Sequence, residues 1–426
     1  MESFALRRCE LGVATSATQI EGGYADTNWH RWAARGRARD GSGPTVAADH
    51  WNRVADDLDL LRELGVRHYR MGLEWARIEP EPGEFDTAAI AHYRDELAGL
   101  RAAGIAPLVT LHHFSEPGWL SERGGFGTDA ALAAFARYVE RVVLDLGDLA
   151  DEWITINEPN VYAYQGYYQG SWPPGERTLR GYLGVAARLA RAHLDAYRAI
   201  HRLRPSARVS FAQHLRVFDP LHAANPFDRA SASGTAWVFQ GALTQAMARG
   251  RFVAPLVQPR GVRPGRYYDF LGVNYYSRTL ISGPQNLTAR GAPVSDLGWE
   301  IYPDGLVRVL EWLHRRFPGP IYVTENGVAD AADSFRARFL YDHLARIAAS
   351  ERLPVQRYYH WTLTDNWEWA EGQTARFGLV ELDPATQQRR MRASGRFFAS
   401  IAANCGVTQD AYDEFVAPQR YPQGSR

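Results

Sequence analysis

The chain has 426 residues, of which 46% are hydrophobic and 23% are charged, as is typical of a soluble globular protein. Its formal net charge at pH 7 is +0, so bulk electrostatics favour neither a nucleic acid nor an anionic membrane as a partner. All 48 basic residues are arginine, which excludes Schiff-base chemistry on a lysine and the phosphate-binding lysine of a P-loop.

Short runs rich in β-branched and aromatic residues alternate along the chain with longer segments of helical period. After the first run, Trp51, Val54 and Leu58 are spaced by three and four residues, as on one face of an amphipathic helix, and segments 90–100 and 306–313 show the same spacing. The predicted strands, in chain order, are residues 11–18, 68–75, 106–114, 152–159, 208–215, 268–277, 320–327 and 355–363.

Eight strands, each followed by a helical segment, predict the α/β class and a (β/α)8 TIM barrel. An open doubly wound sheet is the rival architecture, but no Gly-rich phosphate fingerprint follows the first strand. Because no long Pro/Gly/Ser-rich linker divides the chain, we expect residues 1–426 to form one catalytic barrel domain.

Two of the predicted strands end on a glutamate. The stretch TINEPN (155–160) places Glu158 before Pro159, which cannot donate a ladder hydrogen bond and therefore predicts the strand's end. The stretch PIYVTENG (320–327) places Glu325 in the same setting. In a barrel the tips of strands four and seven face one another across the mouth, so both carboxylates can share one cleft. Two carboxylates flanking a substrate are the basic equipment of a glycoside hydrolase.

The motifs TINEP and VTENG resemble the two catalytic signatures of glycoside hydrolase family 1, the β-glucosidase-like retaining enzymes. The resemblance covers almost the whole chain in order, through ATSATQIEGG, YRMGLEWARIEP, TLHHFSEP, DFLGVNYYS, GWEIYPDGL and HWTLTDNWEWAEG. It implies a retaining exo-β-glycosidase that hydrolyses a small-molecule β-glucoside-like substrate through a covalent glycosyl-enzyme.

The resemblance also implies residue roles. Glu325 matches the nucleophile and Glu158 the acid/base. Arg70 and Tyr276 match the pair beside the nucleophile, where a cation and a phenol donor would lower the pKa of Glu325. Glu158 has to begin the cycle protonated. The positions matching those that hold the non-reducing sugar are Gln19, His113, Asn157, Trp361, Glu368 and Trp369.

The adjacent histidines His112 and His113 do not predict a metal site. Successive side chains of a strand point to opposite faces, so the two rings cannot easily hold one ion. We expect His112 to pack toward the helices, and we expect neither a metal nor a cofactor. Of the three tryptophans in WTLTDNWEW, Trp361 and Trp369 are favoured as sugar contacts, while Trp367 is left open.

Some positions depart from the family pattern. Many relatives have Trp and then Asp-Leu-Pro where this chain reads HFSEP. On the fifth strand this chain has His214 near the position where relatives often have an Asn that touches the nucleophile's surroundings. The chain is also shorter than many relatives, so some loops that build the aglycone site must be trimmed. These departures concern the choice of substrate more than the chemistry.

The same family suggests four alternatives to a hydrolase of unphosphorylated O-linked β-glucosides. A transglycosylase would use identical residues. A 6-phospho-β-glycosidase typically has Ser at the position of Glu368 and a phosphate-binding Lys, and this chain has neither. A thioglucosidase tends to lose the acid at Glu158, and a non-catalytic sugar-binding barrel usually lacks one of the two glutamates. The preferred sugar, the aglycone and the oligomeric state stay open.

The compartment is predicted from the cysteines and the first residues. Cys9 and Cys405 form no metal or redox spacing, MESFALRRCE lacks the apolar core of a secretory signal, and no window approaches 18 apolar residues. These features predict a reduced cytoplasmic protein without nucleic-acid or membrane partners.

Overall fold

The computed structural model describes residues 2–424. Eight parallel strands close into a barrel, which confirms the predicted (β/α)8 architecture and excludes an open sheet. We number them β1–β8: Glu10–Ala14, His68–Gly72, Ala106–Thr110, Glu152–Asn157, Arg208–His214, Leu271–Asn274, Ile321–Asn326 and Val355–Trp361. Each strand pairs with its neighbour in sequence, and β8 pairs with β1 to close the ring.

The strands are shorter at their carboxyl ends than predicted. The apolar run at 106–114, for instance, ends as a strand at Thr110, although Leu111 and Phe114 stay buried. Phe114 has φ +64°, outside the β region. Beyond Thr110 only single backbone hydrogen bonds to β4 continue, from Leu111 to Ile154 and from Asn157 to His112, and the buried side chains there pack at the mouth of the barrel.

Helices surround the barrel, and we number the outer ring α1–α8. Their bounds are Val54–Glu63, Thr87–Ala102, Ala130–Leu146, Leu179–Leu203, Ala242–Arg249, Pro303–Arg316, Arg336–Ala349 and Ala393–Asn404. The helical period seen from Trp51 onward belongs to two elements, because a 3₁₀ turn at His50–Asn52 precedes α1 and Arg53 between them is not helical.

Shorter elements decorate the ring. The additional α-helices are Ala17–Ile20, Asn28–Ala33, Trp75–Ile78, Gly118–Glu122, Pro159–Ala163, Pro226–Ala236 and Gln409–Ala411. Further 3₁₀ turns are Gly125–Gly127 and Trp369–Glu371, and π-helical turns are Tyr164–Gln169, Trp237–Gly241 and Tyr412–Val416. The small sheets consist of Phe4–Ala5 with Gly406–Val407, of Val217–Pro220 with Arg278–Ser282 and Gln285–Leu287, and of Val380–Leu382 with Arg389–Met391.

The amino end of the barrel interior is closed by charge as well as by apolar packing. Glu152, at the start of β4, accepts hydrogen bonds from Arg208 over 3.2 Å, from Tyr322 over 2.9 Å and from Arg357. Above this layer Leu108, together with its neighbours on other strands, fills the barrel. A polar cleft can therefore open only at the carboxyl ends of the strands, as in other barrels of this type.

Within residues 2–424, no helix is both long enough and apolar enough to cross a membrane.

Candidate active site

Glu158 stands where β4 turns into the helix Pro159–Ala163. Its backbone is left-handed, with φ +41° and ψ +56°, and its N–H donates to the carbonyl of Ala212 on β5 over 2.8 Å. A non-glycine residue in this region is strained, and such strain concentrates at functional sites. The predicted strand end before Pro159 is confirmed, and the turn leaves the buried carboxyl group on the lining of the cleft.

Glu325 is the second-last residue of β7, and both of its carboxylate oxygens accept hydrogen bonds. Arg70 Nη1 donates to Oε1 over 2.5 Å, and the hydroxyl of Tyr276 donates to Oε2 over 2.6 Å. The residue after the end of β7, Gly327, lies so close to β8 that an added Cβ would be 1.9 Å from the carbonyl oxygen of Trp361. The glycine of VTENG is thus required by the close approach of the two strands.

Three side chains connect the two carboxylates. Arg70 Nη2 donates to Asn157 Oδ1 over 2.6 Å, and Asn274 Nδ2 donates to the same oxygen over 3.0 Å. Asn274 Nδ2 also donates to Glu158 Oε1 over 2.8 Å. The result is a buried chain of hydrogen bonds that runs from Glu325 through Arg70, Asn157 and Asn274 to Glu158.

The two glutamates differ in what surrounds them. Glu158 Oε1 receives Asn274 and lies 3.1 Å from His214 Nδ1, whereas its Oε2 has no hydrogen-bond partner within residues 2–424. Glu325 has both oxygens occupied, one of them by a guanidinium. Glu325 is therefore held at both oxygens, whereas within residues 2–424 only one oxygen of Glu158 is held.

Arg70 and Tyr276 lower the pKa of Glu325 as expected, but the net shift is upward. Burial raises the pKa of Glu325 to about 7, and the nearby Glu158 adds to this rise, although Arg70 and Tyr276 oppose it. Desolvation therefore outweighs the two donors. The sequence indicates the donors but not how completely the folded cleft excludes water.

Glu368 also lines the cleft, and desolvation affects it strongly as well. Desolvation raises its pKa to about 8, against hydrogen bonds from Trp361 and Gln19 that lower it. Trp361 Nε1 donates to Glu368 Oε1 over 3.0 Å. Gln19 is held by Ser16 over 2.7 Å and by Asn366 over 3.2 Å. A ligand with hydroxyl donors would stabilise the ionised form of Glu368.

His113 is neutral and has a defined tautomer. Burial lowers its pKa well below the ordinary value, and the neighbouring Arg70 adds to this effect. Asn157 Nδ2 lies 2.9 Å from His113 Nε2, and because the oxygen of Asn157 already accepts two bonds, its amide nitrogen is the donor here. The ring proton of His113 therefore sits on Nδ1, which has no partner within residues 2–424.

The cleft brings most of the predicted site residues together. Seven of the ten line it, namely His113, Glu158, Tyr276, Glu325, Trp361, Glu368 and Trp369. Arg70, Asn157 and Gln19 lie behind this lining and are completely buried. Asn157 keeps only its second N–H for a ligand, because its oxygen accepts from Arg70 and Asn274.

Other residues of the cleft were missed from the sequence. Asn274 is the last residue of β6, in the stretch LGVN. A polar residue near the end of a predicted strand is the signal that indicates Glu158 and Glu325, and the same signal indicates Asn274. The remaining lining residues come largely from loops and helical turns, where no such signal exists, and include Phe114, Tyr164, Gln165, Trp172, Arg216, Phe239 and Trp299.

Neither His112 nor Trp367 is among the residues that line the cleft. His112 is buried among Phe126, Phe135 and Tyr162, which confirms its packing toward the helices. Trp367 is fully buried against Trp369 and does not line the cleft.

His214 was expected near the surroundings of the nucleophile. It contacts Glu158 directly and stacks on Tyr276, with ring centroids 5.9 Å apart. In the part of the chain that the structure describes, no group of three or more His, Cys, Asp or Glu side chains is arranged to hold a metal ion.

Comparisons with known proteins agree with this geometry. The family model described as glycosyl hydrolase family 1 matches residues 9–407. Beta-glucosidase A of Thermotoga maritima is 30% identical over 432 residues, covering 93% of this chain and 97% of that protein. A beta-glycosidase from Pyrococcus horikoshii is similar in structure, with a TM-score of 0.88 and 32% identity over 97% of both chains. A beta-glucosidase from Thermotoga maritima in complex with glucoimidazole also has a TM-score of 0.88, with 29% identity over 96% of this chain and all of the other. The chain belongs to glycosyl hydrolase family 1 and is a glycoside hydrolase.

Proposed function

We propose that the protein is a β-glucosidase-like enzyme that hydrolyses β-glycosides with retention of configuration, with Glu325 as the nucleophile and Glu158 as the acid/base. The observation that carries the proposal is the unequal hydrogen bonding of the two carboxyl groups. Glu325 accepts from Arg70 and Tyr276, whereas one oxygen of Glu158 has no hydrogen-bond partner within residues 2–424. This oxygen of Glu158 can therefore face the leaving oxygen of a substrate and pass a proton to it.

The first half of the reaction uses this arrangement directly. Glu325 attacks the anomeric carbon while Glu158 gives its proton to the leaving oxygen, and the aglycone departs. Once Glu325 is esterified by the sugar its charge is gone, so Glu158 remains as a carboxylate. It then takes a proton from the incoming water, which cleaves the glycosyl-enzyme. A carboxyl separation of about 5–5.5 Å would suit this mechanism and remains a prediction.

The sugar would lie between Glu368 and the two catalytic groups. Glu368 accepts hydroxyl hydrogen bonds, and Trp361 and Trp369 offer flat apolar faces to a pyranose ring. His113, with its proton on Nδ1, and the remaining N–H of Asn157 supply donors. The relatives named as beta-glucosidases support glucose as the sugar of first choice.

A 6-phospho sugar is not favoured, because the carboxylate of Glu368, which lines the cleft, would repel its phosphate. A cytoplasmic location is also part of the proposal, because Cys9 and Cys405 are both free thiols.

Azide rescue assigns the two roles. In Glu158→Ala, an activated dinitrophenyl glycoside still forms the glycosyl-enzyme, which then stalls without a base. Azide needs no base and should restore turnover, giving the β-glycosyl azide. In Glu325→Ala, azide should attack from the nucleophile's side and give the α-glycosyl azide. Opposite anomers would reverse the two roles, and no rescue in either variant would contradict the double-displacement mechanism.

A further inference from the structure

Two chemically different groups of residues line the cleft. In one group Trp361 donates to Glu368, and in the other His214 lies against Glu158. Under the proposed function, on which this inference rests, Glu158 protonates the leaving oxygen, so the aglycone lies on its side of the cleft. The wall on that side comes from the segments after β4 and β5 and contains Arg216.

Arg216 is a cation without a carboxylate partner. Within residues 2–424 no carboxylate lies within salt-bridge distance of it, and its only side-chain hydrogen bond is from Nη1 to the hydroxyl of Thr279 over 3.1 Å. Its Nε is buried without an acceptor. Burial lowers the pKa of the guanidinium, and the charge of Glu158 is among the effects that oppose this only in part.

The backbone around Arg216 is held firmly, so the side chain is not simply a loose surface group. Gln240 accepts from the backbone N–H of Arg216 over 2.9 Å and donates to its carbonyl over 3.1 Å. A nearby arginine shows the contrast, because Arg278 donates to both carboxylate oxygens of Glu300. An unpaired, partly buried guanidinium on a cleft wall is costly, and a bound anion would remove that cost.

Aromatic side chains also line the cleft near His214. Phe239 packs edge to face on His214 and on Tyr164, with ring centroids 6.0 and 5.7 Å apart. Trp299 lies beside Tyr276, with ring centroids 5.8 Å apart. Such surfaces suit a planar apolar group, while Arg216 suits a planar anion that can accept two parallel hydrogen bonds.

We propose that the enzyme's substrates are β-glycosides of aromatic acids, whose aglycone ring lies against these aromatic walls and whose carboxylate binds Arg216. The anion is thus recognised on the aglycone and not on the sugar.

The test compares two substrates that differ only in this charge, 4-carboxyphenyl and 4-carbamoylphenyl β-D-glucoside. The ratio of their kcat/KM values is measured for the wild type, for Arg216→Gln and for Arg180→Gln. Arg180 is exposed on α4, so its variant removes the same charge away from the cleft. The two phenols differ in leaving ability, but this difference affects the kcat/KM ratio of every variant equally. It therefore cancels when the ratio of a variant is compared with that of the wild type.

We expect the ratio to fall about tenfold or more in Arg216→Gln, because a hydrogen bond to a charged group is lost. The ratio should stay unchanged in Arg180→Gln. An unchanged ratio in Arg216→Gln, or an equal loss on both substrates, overturns the inference, because Arg216 would then act on Glu158 or on the fold. If the wild type released neither phenol, nor nitrophenol from the simple aryl glucoside, the proposed function would fail as well.

A second measurement needs no variant. Free 4-hydroxybenzoate should inhibit the wild type at lower concentration than 4-hydroxybenzamide does, and added salt should narrow the difference. Equal inhibition by the two compounds overturns the inference even if Arg216→Gln does not fold.

Discussion

Replacing Tyr276 with Phe tests how the cleft controls the charge of Glu325. The hydroxyl of Tyr276 donates to Glu325 Oε2 over 2.6 Å, and both side chains are buried. The phenyl ring can keep its stacking on His214, so the substitution removes essentially one donor. A hydrogen bond to a charged group contributes about 1.5–3 kcal/mol, which corresponds to a pKa change of about 1–2 units.

The direction of the change follows from which form the hydroxyl stabilises. It donates to the carboxylate, so it lowers the pKa, and its removal raises a pKa that burial has already brought to about 7. Only the ionised form of Glu325 can attack the sugar. We therefore expect the acidic limb of kcat/KM for 4-nitrophenyl β-D-glucoside to move up by about 1–2 pH units in Tyr276→Phe.

Tyr275→Phe is the matched control. Tyr275 precedes Tyr276 in the chain, but its hydroxyl donates to the backbone carbonyl of Tyr302 over 2.6 Å and not to Glu325. This variant should leave the acidic limb in place. A limb that stays fixed or moves to lower pH in Tyr276→Phe would refute the reasoning, even if activity fell, because the hydroxyl would then only position the carboxylate.

Two further outcomes are expected. Glu368→Ser should lower kcat/KM on an unphosphorylated glucoside by orders of magnitude, because sugar hydroxyls lose an acceptor in hydrogen bonds of about 1.5–3 kcal/mol each; a loss below about threefold would mean that Glu368 does not touch the sugar. Burial by itself would lower the pKa of His50. Glu96 and Asp57, which contact its two ring nitrogens, outweigh burial and raise the pKa to about 10. Because this folded-state pKa exceeds the unfolded value of about 6.5, the stabilisation is complete below that pH and is lost as pH rises toward 10. The difference in melting temperature between wild type and His50→Gln should therefore shrink from pH 6 to pH 10, and a constant difference would contradict the assignment.

The barrel and its two central carboxylates could be predicted from residue order alone. Strand period, helical period and turn residues are local properties, and eight repeats of one alternation leave few architectures. A charged residue that ends a buried strand, as Glu158 and Glu325 do, needs an opening at that point, because an unpaired buried carboxylate is costly. The family motifs added the roles and the sugar-binding positions.

The charge state of the cleft depended on contacts between strands that are distant in sequence. Desolvation outweighed the two hydrogen-bond donors at Glu325 and raised the pKa of Glu368, and neither effect can be read from neighbouring residues. The bridge through Asn274 and the contact of His214 with Glu158 likewise arise only when β4, β5 and β6 are adjacent. A hydrogen-bond partner and a local dielectric are properties of three-dimensional surroundings, so they are defined only once the barrel closes.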